Sequence, residues 1–383
     1  MASNHVSKVA IVGAGGNVGR FMTEALLEKG KHEVTALTRE DSQSKLPEGV
    51  KTKIVDYSKP ETLVDALRGQ DALVITISGR APIKDIEEKL VRAAAEADVK
   101  WILPNEWSPD SADDGIVKDV FLFGMKVATR NLIQEIGKSS YVAVSCGFWY
   151  EYSLAIANNY GIDFAKKEIN MYDDGQTKIC TSTWPQVGRA VAAILSLPIQ
   201  AENGNDKQAS LDGLRNKVVY INSFNISQAD MLASAQRVTG TKEGDWKITK
   251  HDSHERFDVS LKFFKEGKFK TEGFTNFRQV LVEHISFKES LSLACLLGPR
   301  HRVLPYSIPL GVLTTIDSPK GEYHRSLANP NDLVVYSRIF FPNGGGDFEH
   351  KGTINNLLGL PKEDLDEATK VAMERQLANE GGH

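Results

Sequence analysis

Six short runs rich in Val, Ile and Leu recur through the first 150 residues, and stretches with helical spacing separate most of them. No other feature restricts the fold so tightly. The runs are 9–12 (VAIV), 33–38 (EVTALT), 50–55 (VKTKIV), 72–78 (ALVITIS), 99–104 (VKWILP) and 141–146 (YVAVSC). Strands that read as near-continuous apolar runs, joined by single helices, pair in parallel and are covered on both faces. The expected class is therefore α/β, doubly wound. The helices carry their own signals. Residues 17–29 end at Gly30, a C-terminal stop. The segment 58–69 places Ser58 and Glu61 at capping-box spacing, Pro60 in the first turn and Gly69 at the end. In 83–97 the residues Ile83, Ile86, Leu90, Ala94 and Ala97 share one face. In 118–137 the expected buried stripe is Phe121, Met125, Ala128, Leu132 and Ile136.

The first helix is preceded by GAGGNVG, residues 13–19, with Gly13, Gly15, Gly16 and Gly19 straight after the first strand. A glycine-rich turn there aims backbone N–H groups and a positive helix end at a phosphate. The spacing Gly13, Gly16, Gly19 fits G-x-x-G-x-x-G, whereas Val18 excludes the six-residue G-x-G-x-x-G. Gly13 would permit the tight turn, Gly16 the approach of a pyrophosphate, and Gly19 the packing of helix on sheet. With Asn17 and Val18 completing the bend, a dinucleotide site on a Rossmann-type sheet is expected. The second strand ends in ALTRED, and Arg39 lies twenty residues after Gly19, where an NAD site would carry an acid. A guanidinium suits a 2′-phosphate, Lys45 offers a second charge, and NADP(H) is the expected cofactor, although Glu40 and Asp41 follow closely. Ser78 and Gly79, ending the fourth strand, are expected along the ribose.

Beyond residue 150 the pattern loosens. Residues 178–198 read as strand then helix, 217–240 as a strand, an N-cap at Ser227 and a helix closing at Gly240, and 361–378 as a charged amphipathic helix beginning at Pro361. The expected organisation is a dinucleotide-binding domain over 1–150 and a smaller mixed α/β substrate domain over 151–383, with segments of about 178–240 returning to the first sheet. The stretch 288–335 keeps no period, is broken by proline, and reads as an insertion.

Composition narrows the function. The chain has 383 residues, 25% of them charged, and a formal net charge of −4, which offers no basic surface to nucleic acid or anionic lipid. No apolar run reaches the roughly 20 residues of a membrane span. The first strand begins too early for a signal peptide, and three cysteines (Cys146, Cys180, Cys295) show no metal or disulfide spacing, so a cytoplasmic setting is expected. The nearest histidine pair, His251 and His254, reads as a solvated turn, and no metal site is expected.

None of the ten tyrosines has a lysine four positions on, so the Tyr-x-x-x-Lys pair of many short-chain dehydrogenases is missing. Lys126 instead flanks the stripe of the 118–137 helix, one turn from Phe123 and one from Arg130. The segments VAIVGAGGNVG, LTR, KIVDYSKPETLVDAL, WILPNEW and FGMKVATRNLIQ resemble, in order, the landmarks of the NmrA-like and isoflavone-reductase-like atypical short-chain dehydrogenases, especially fungal members. The resemblance implies a catalytic acid/base at Lys126 and hydride transfer from NADPH to a small aromatic or conjugated substrate. It implies cofactor contacts at Asp56 and in the Pro104–Asn105 segment, with Phe148 covering the nicotinamide. Pro104, Asn105, Glu106 and Trp107 occupy the family's Pro-Ser-Glu-Phe-Gly segment, with Asn105 and Trp107 departing from it. A lysine acts at neutral pH only if its pKa falls, by burial or a nearby cation such as Arg130. Glu106, Trp107, Trp149 and Tyr150 are candidate substrate contacts, the aromatics among them, with Tyr152, being equally readable as core. The alternative function is a dinucleotide-binding redox sensor without turnover, acting through a protein partner. An epimerase or dehydratase ranks third, lacking its Tyr-Lys pair.

Overall fold

The computed structural model describes residues 3–78, 81–201, 209–265, 330–342 and 345–378. Gly79, Cys295 and positions 288–329 of the expected insertion lie outside the described residues.

The first half builds β1 (Lys8–Val12), α1 (Gly19–Glu28), β2 (Glu33–Thr38), β3 (Lys51–Ile54), α2 (Pro60–Leu67), β4 (Ala72–Ile75), α3 (Ile83–Glu96), β5 (Trp101–Leu103), α4 (Asp114–Asp119), α5 (Phe121–Ile136) and β6 (Ser140–Ser145). With β11 (Lys217–Tyr220) these strands form one seven-stranded parallel sheet, ordered β3-β2-β1-β4-β5-β6-β11. Strand alternation splits the strands other than the exposed edge strand β3 between two cores. Val9 and Ile11 face Met22 and Leu26 of α1 and Val187, Val191 and Ile194 of α8 (Trp184–Leu195). Ala10 and Val12 face Leu63 and Leu67 of α2 and Leu90 and Ala94 of α3. The sheet is thus doubly wound. Its order reverses between β1 and β4, the point at which such sheets open a crevice beyond their carboxyl ends.

The remaining elements lie mostly beyond that end, except residues 211–214, which sit by the start of β6, where Arg215 meets Ser140. They are β7 (Phe148–Trp149), α6 (Tyr150–Leu154), α7 (Ala157–Tyr160), β8 (Ile162–Asp163), β9 (Glu168–Tyr172), β10 (Ile179–Ser182), α9 (Leu211–Leu214), β12 (Phe224–Ile226), α10 (Gln228–Thr239), β13 (Lys247–His251), α11 (Ser253–Lys265), α12 (Pro330–Ile339) and α13 (Leu365–Leu377). Two three-stranded sheets, β12-β10-β7 and β13-β9-β8, share a second core around Tyr150, Tyr160, Phe224, Met231 and Phe340. Ser227 caps α10 in a full capping box and Gly240 closes it in the left-handed region. Among the described residues no helix is long and apolar enough to cross a membrane.

Four local expectations are corrected. No capping box forms at Ser58: its N–H and hydroxyl both donate to Asp56 Oδ1, so the residue closes the preceding turn, and Lys59 precedes the helix. The last helix starts at Leu365 rather than Pro361, because the Asp364 side chain caps it through the N–H groups of Asp366 and Glu367. His251 ends β13, and His254 lies in α11 with its ring stacked 3.7 Å from that of Phe341, so neither occupies a solvated turn. On α5 the buried residues are Phe123, Thr129, Arg130 and Ile133; of the expected stripe Met125, Leu132 and Ile136 are half-buried, and Phe121 and Ala128 are exposed. Apolar content misses the centre of the buried face, because that face carries charges with partners of their own.

Candidate functional site

The glycine bend joins the carboxyl end of β1 to α1. Gly13 has φ +79°, and a Cβ on it would collide with the backbone and side-chain oxygens of Thr76, just beyond β4. A Cβ on Gly19 would strike Gly13 O. Gly13 O accepts from Gly16 N at 2.9 Å, which closes the turn, and Thr23 Oγ1 ties α1 back through Ala14 O at 3.2 Å. A Cβ on Gly16 would meet only Gly13 O, at 3.2 Å, so its other side is open. Among the described residues no oxygen accepts from the N–H groups of Gly15, Asn17 or Val18. Unpaired donors in the bend before α1, at an open glycine, fit a pyrophosphate.

From this bend the contacts run toward Lys126. Asn105, just past β5, carries its side chain to Ile77, accepting from Ile77 N at 3.1 Å and donating to Ile77 O at 3.2 Å, and so extends the β4–β5 pairing. Lys126 Nζ donates to Asn105 O at 2.6 Å and to Glu106 O at 3.1 Å. Burial is the main cause holding this amine below the usual lysine range, opposed by the carboxylates of Glu106 and Glu87. Arg130 pushes the same way as burial but least, since it is ion-paired with Glu106 and also donates to Ser111 Oγ at 2.8 Å. The expected lowering is present, and burial outweighs the cation as its cause. The neighbouring Cys146 thiol, at the end of β6, is pushed by burial up to about 12 and stays protonated.

Arg39 follows β2 on the same edge, exposed, with Asp41 Oδ1 3.3 Å from its Nε. The Lys45 backbone borders Gly15, its carbonyl 2.6 Å from where a Cβ would sit. The Asp56 carboxylate is engaged in the turn before α2, with Ser58 and, at 3.5 Å, Lys59. The Ser58 hydroxyl is the chief cause holding it below the usual range. The Ser78 carbonyl accepts from Ala81 N at 2.9 Å, and Pro104 is buried. Phe148 is half-buried and stacks on Tyr336, with ring centroids 4.0 Å apart.

Three suggested substrate contacts are buried and held by other protein groups. Glu106 is 1% exposed, bound by Arg130 and the Ser111 hydroxyl. Trp107 is buried and donates to Ile75 O at 2.8 Å. Tyr150 is fully buried against Thr369 Oγ1 at 2.8 Å. Trp149 and Tyr152 remain partly exposed, in a cluster with Trp184. Next to them Glu151 is buried beneath the start of α8, where burial pushes its carboxyl from the ordinary 4.5 up to about 7. A raised carboxyl stabilises the fold below about pH 4.5, and that contribution is lost as pH rises through about 7. Glu151→Gln should therefore raise the unfolding temperature at pH 8 relative to wild type, a gain of up to about 3 kcal/mol that fades toward pH 4.5, as thermal melts across that range would show.

The sequence model of the NmrA-like family matches residues 5–204, more than half of the chain. The chain belongs to the NmrA-like family. Curated relatives described as oxidoreductases and reductases match as well. The oxidoreductase aprR of Aspergillus flavus is 27% identical over 267 residues, covering 68% of this chain and 82% of that protein. The phenylcoumaran benzylic ether reductase TP7 of Nicotiana tabacum is 33% identical over 163 residues, 39% of this chain and 51% of its own. Among solved structures, AtPrR2 with NADP+ and (+)pinoresinol superposes with TM-score 0.64 at 17% identity, over 96% of this chain and 99% of that one. The Escherichia coli quinone oxidoreductase QOR2 complexed with NADPH gives 0.58 at 16%, over 94% and 98%. These structural likenesses show that this NmrA-like chain shares the fold of those two proteins.

Sequence reasoning missed Thr76, Glu87, Ser111 and Thr129. For Glu87 a signal was present: it falls on the apolar face of α3 between Ile83, Leu90 and Ala94, where a carboxylate without a partner would be costly.

Proposed function

We propose that this chain is an NADPH-dependent reductase of a small aromatic or conjugated carbonyl substrate, with Lys126 as general acid/base. An oxidoreductase is what its named relatives are. The observation that carries the reading is the unbroken line of contacts Gly13–Thr76, Ile77–Asn105, Asn105–Lys126, which runs from the phosphate-accepting bend to an amine of lowered pKa along one sheet edge. The bend's free N–H groups would hold the pyrophosphate. Arg39 and Lys45 at its rim would take the 2′-phosphate, the exposed Arg39–Asp41 pair being weak enough to exchange. Bound there, NADPH supplies the hydride. Lys126 then gives a proton to the substrate oxygen that gains charge, and the Asn105 and Glu106 carbonyls keep its Nζ in place.

Two measurements test this. Purified protein mixed with NADPH and a panel of conjugated aromatic ketones should consume the nucleotide; stoichiometric binding without consumption across the panel favours the sensor instead. Arg39→Gln should weaken NADPH binding about tenfold or more and leave NADH nearly unchanged, since a charge-assisted hydrogen bond contributes about 1.5–3 kcal/mol. Equal loss for both nucleotides, by fluorescence titration, would remove the 2′-phosphate assignment.

A further inference from the structure

Glu87 stands on α3 where that helix packs against α5, and it is 2% exposed. Its Oε1 accepts from Asn105 N at 2.9 Å, and its Oε2 lies 3.1 Å from Thr129 Oγ1. Lys126 grips the other end of the same residue, donating to Asn105 O. The two charges thus bracket Asn105, and α5 reaches Glu87 again through Thr129, one turn beyond Lys126. Glu106 already has a cation, Arg130, in direct contact, whereas the polar contacts of Glu87 are an N–H and a hydroxyl. A neutral amide would satisfy that N–H equally well, so hydrogen bonding alone does not explain a carboxylate here.

We propose that Glu87 is a positioning residue for Lys126: it fixes the amine through Asn105 and Thr129 and supplies, beside Glu106, a buried negative charge against which the ammonium is held. This rests on the reading of Lys126 as proton donor. The Thr129 hydroxyl has one proton and two acceptors within reach, Glu87 Oε2 and Met125 O at 3.2 Å. Given to Glu87, the proton supports the carboxylate; given to Met125, it leaves Oγ1 to accept from a neutral carboxyl. Burial pushes Glu87 up, and the Asn105 N–H and the Lys126 charge pull it down. The other groups facing the amine are Glu106 beyond β5, the Cys146 thiol at the end of β6 and Arg130 on α5 itself.

The test reads Lys126 without needing a substrate. Trace acetic anhydride labels the lysines of the full chain from neutral to strongly alkaline pH, and mass spectrometry of the Lys126 peptide gives its titration. In Glu87→Gln, which keeps an acceptor for Asn105, Lys126 should titrate about one pH unit lower than in wild type. In Glu87→Asp, which keeps the charge, it should stay within a few tenths. The alkaline limb of kcat should move with the Gln variant while the affinity for NADPH holds. An unchanged Lys126 titration in Glu87→Gln overturns the proposal, as do equal shifts in the Gln and Asp variants, which would make the effect one of packing. Should Glu87→Gln fail to fold, Thr129→Val, which withdraws the hydroxyl from the carboxylate, should shift Lys126 in the same direction, and no shift there is equally fatal. Failure of the underlying reading looks different: Lys126→Ala would turn over at the wild-type rate whatever Glu87 does.

Discussion

Replacing Lys126 with alanine should leave NADPH binding within about threefold of wild type and cut turnover by about 10²–10⁴, the usual contribution of one acid/base group. Binding should survive because the side chain's contacts are the carbonyls of Asn105 and Glu106, not the glycine bend, and water can replace Nζ at both. Turnover should fall because among the described residues the other ionisable groups beside Asn105 are poorly suited to give a proton. Arg130 and Glu106 are ion-paired with each other, the Cys146 thiol is pushed up to about 12, and Glu87 is closed off behind the Asn105 N–H. The pH profile carries a second mark. As a proton donor Lys126 must be charged, so wild-type kcat should decline above its lowered pKa, earlier than an ordinary lysine would allow, and the residual rate of the alanine variant should lose that limb. Steady-state kinetics beside a nucleotide titration decide the matter, and retention of both rate and limb in Lys126→Ala would remove the role.

The glycine bend should show a graded response that a flexible hinge would not. Gly13→Ala must adopt φ +79° and push apart the Thr76 oxygens, so the end of β1 and the chain beyond β4 separate. The cost is roughly 2–5 kcal/mol, from left-handed strain of about 1–2 and overpacking of about 1–3. Gly19→Ala meets the Gly13 carbonyl and should lose about 1–3 kcal/mol from overpacking alone. Gly16→Ala faces one oxygen at 3.2 Å and otherwise open space. Its melting temperature should stay near wild type while its affinity for NADPH falls at least tenfold, because the new methyl stands where the pyrophosphate must approach. Melts and nucleotide titrations of the three variants separate the outcomes. Uniform stability across all three would show a loose bend, and unchanged affinity in Gly16→Ala would show that no phosphate sits there.

Much of the architecture was legible because its signals are local. Residues 9–12 and 33–38 become strands where apolar and β-branched side chains cluster, and Gly30, Gly69 and Gly240 end helices where a left-handed residue is wanted. The fourth strand is shorter than its apolar run: β4 ends at Ile75, and from Ile77 onward the pairing passes to the Asn105 side chain, a partner 28 residues away that no local pattern signals. The α5 stripe was only partly right for a related reason. Periodicity assigns Lys126 and Arg130 to solvent by residue type, yet both turn inward beside Phe123, because Glu106, Ser111 and two carbonyls wait there to receive them. Trp107 and Tyr150 likewise divide between pocket and core only when their polar ends find Ile75 O and Thr369.

The sequence by itself determined the doubly wound parallel sheet, the glycine bend at its head and the lysine that stands one turn from Phe123 and one from Arg130, since each is written in spacings of a few residues. Tertiary structure alone decided which charges are buried together, what lowers Lys126, and that Glu87 and Lys126 grip opposite ends of Asn105. Those outcomes depend on desolvation and on partners distant in sequence, and a linear pattern of hydrophobicity holds no record of either.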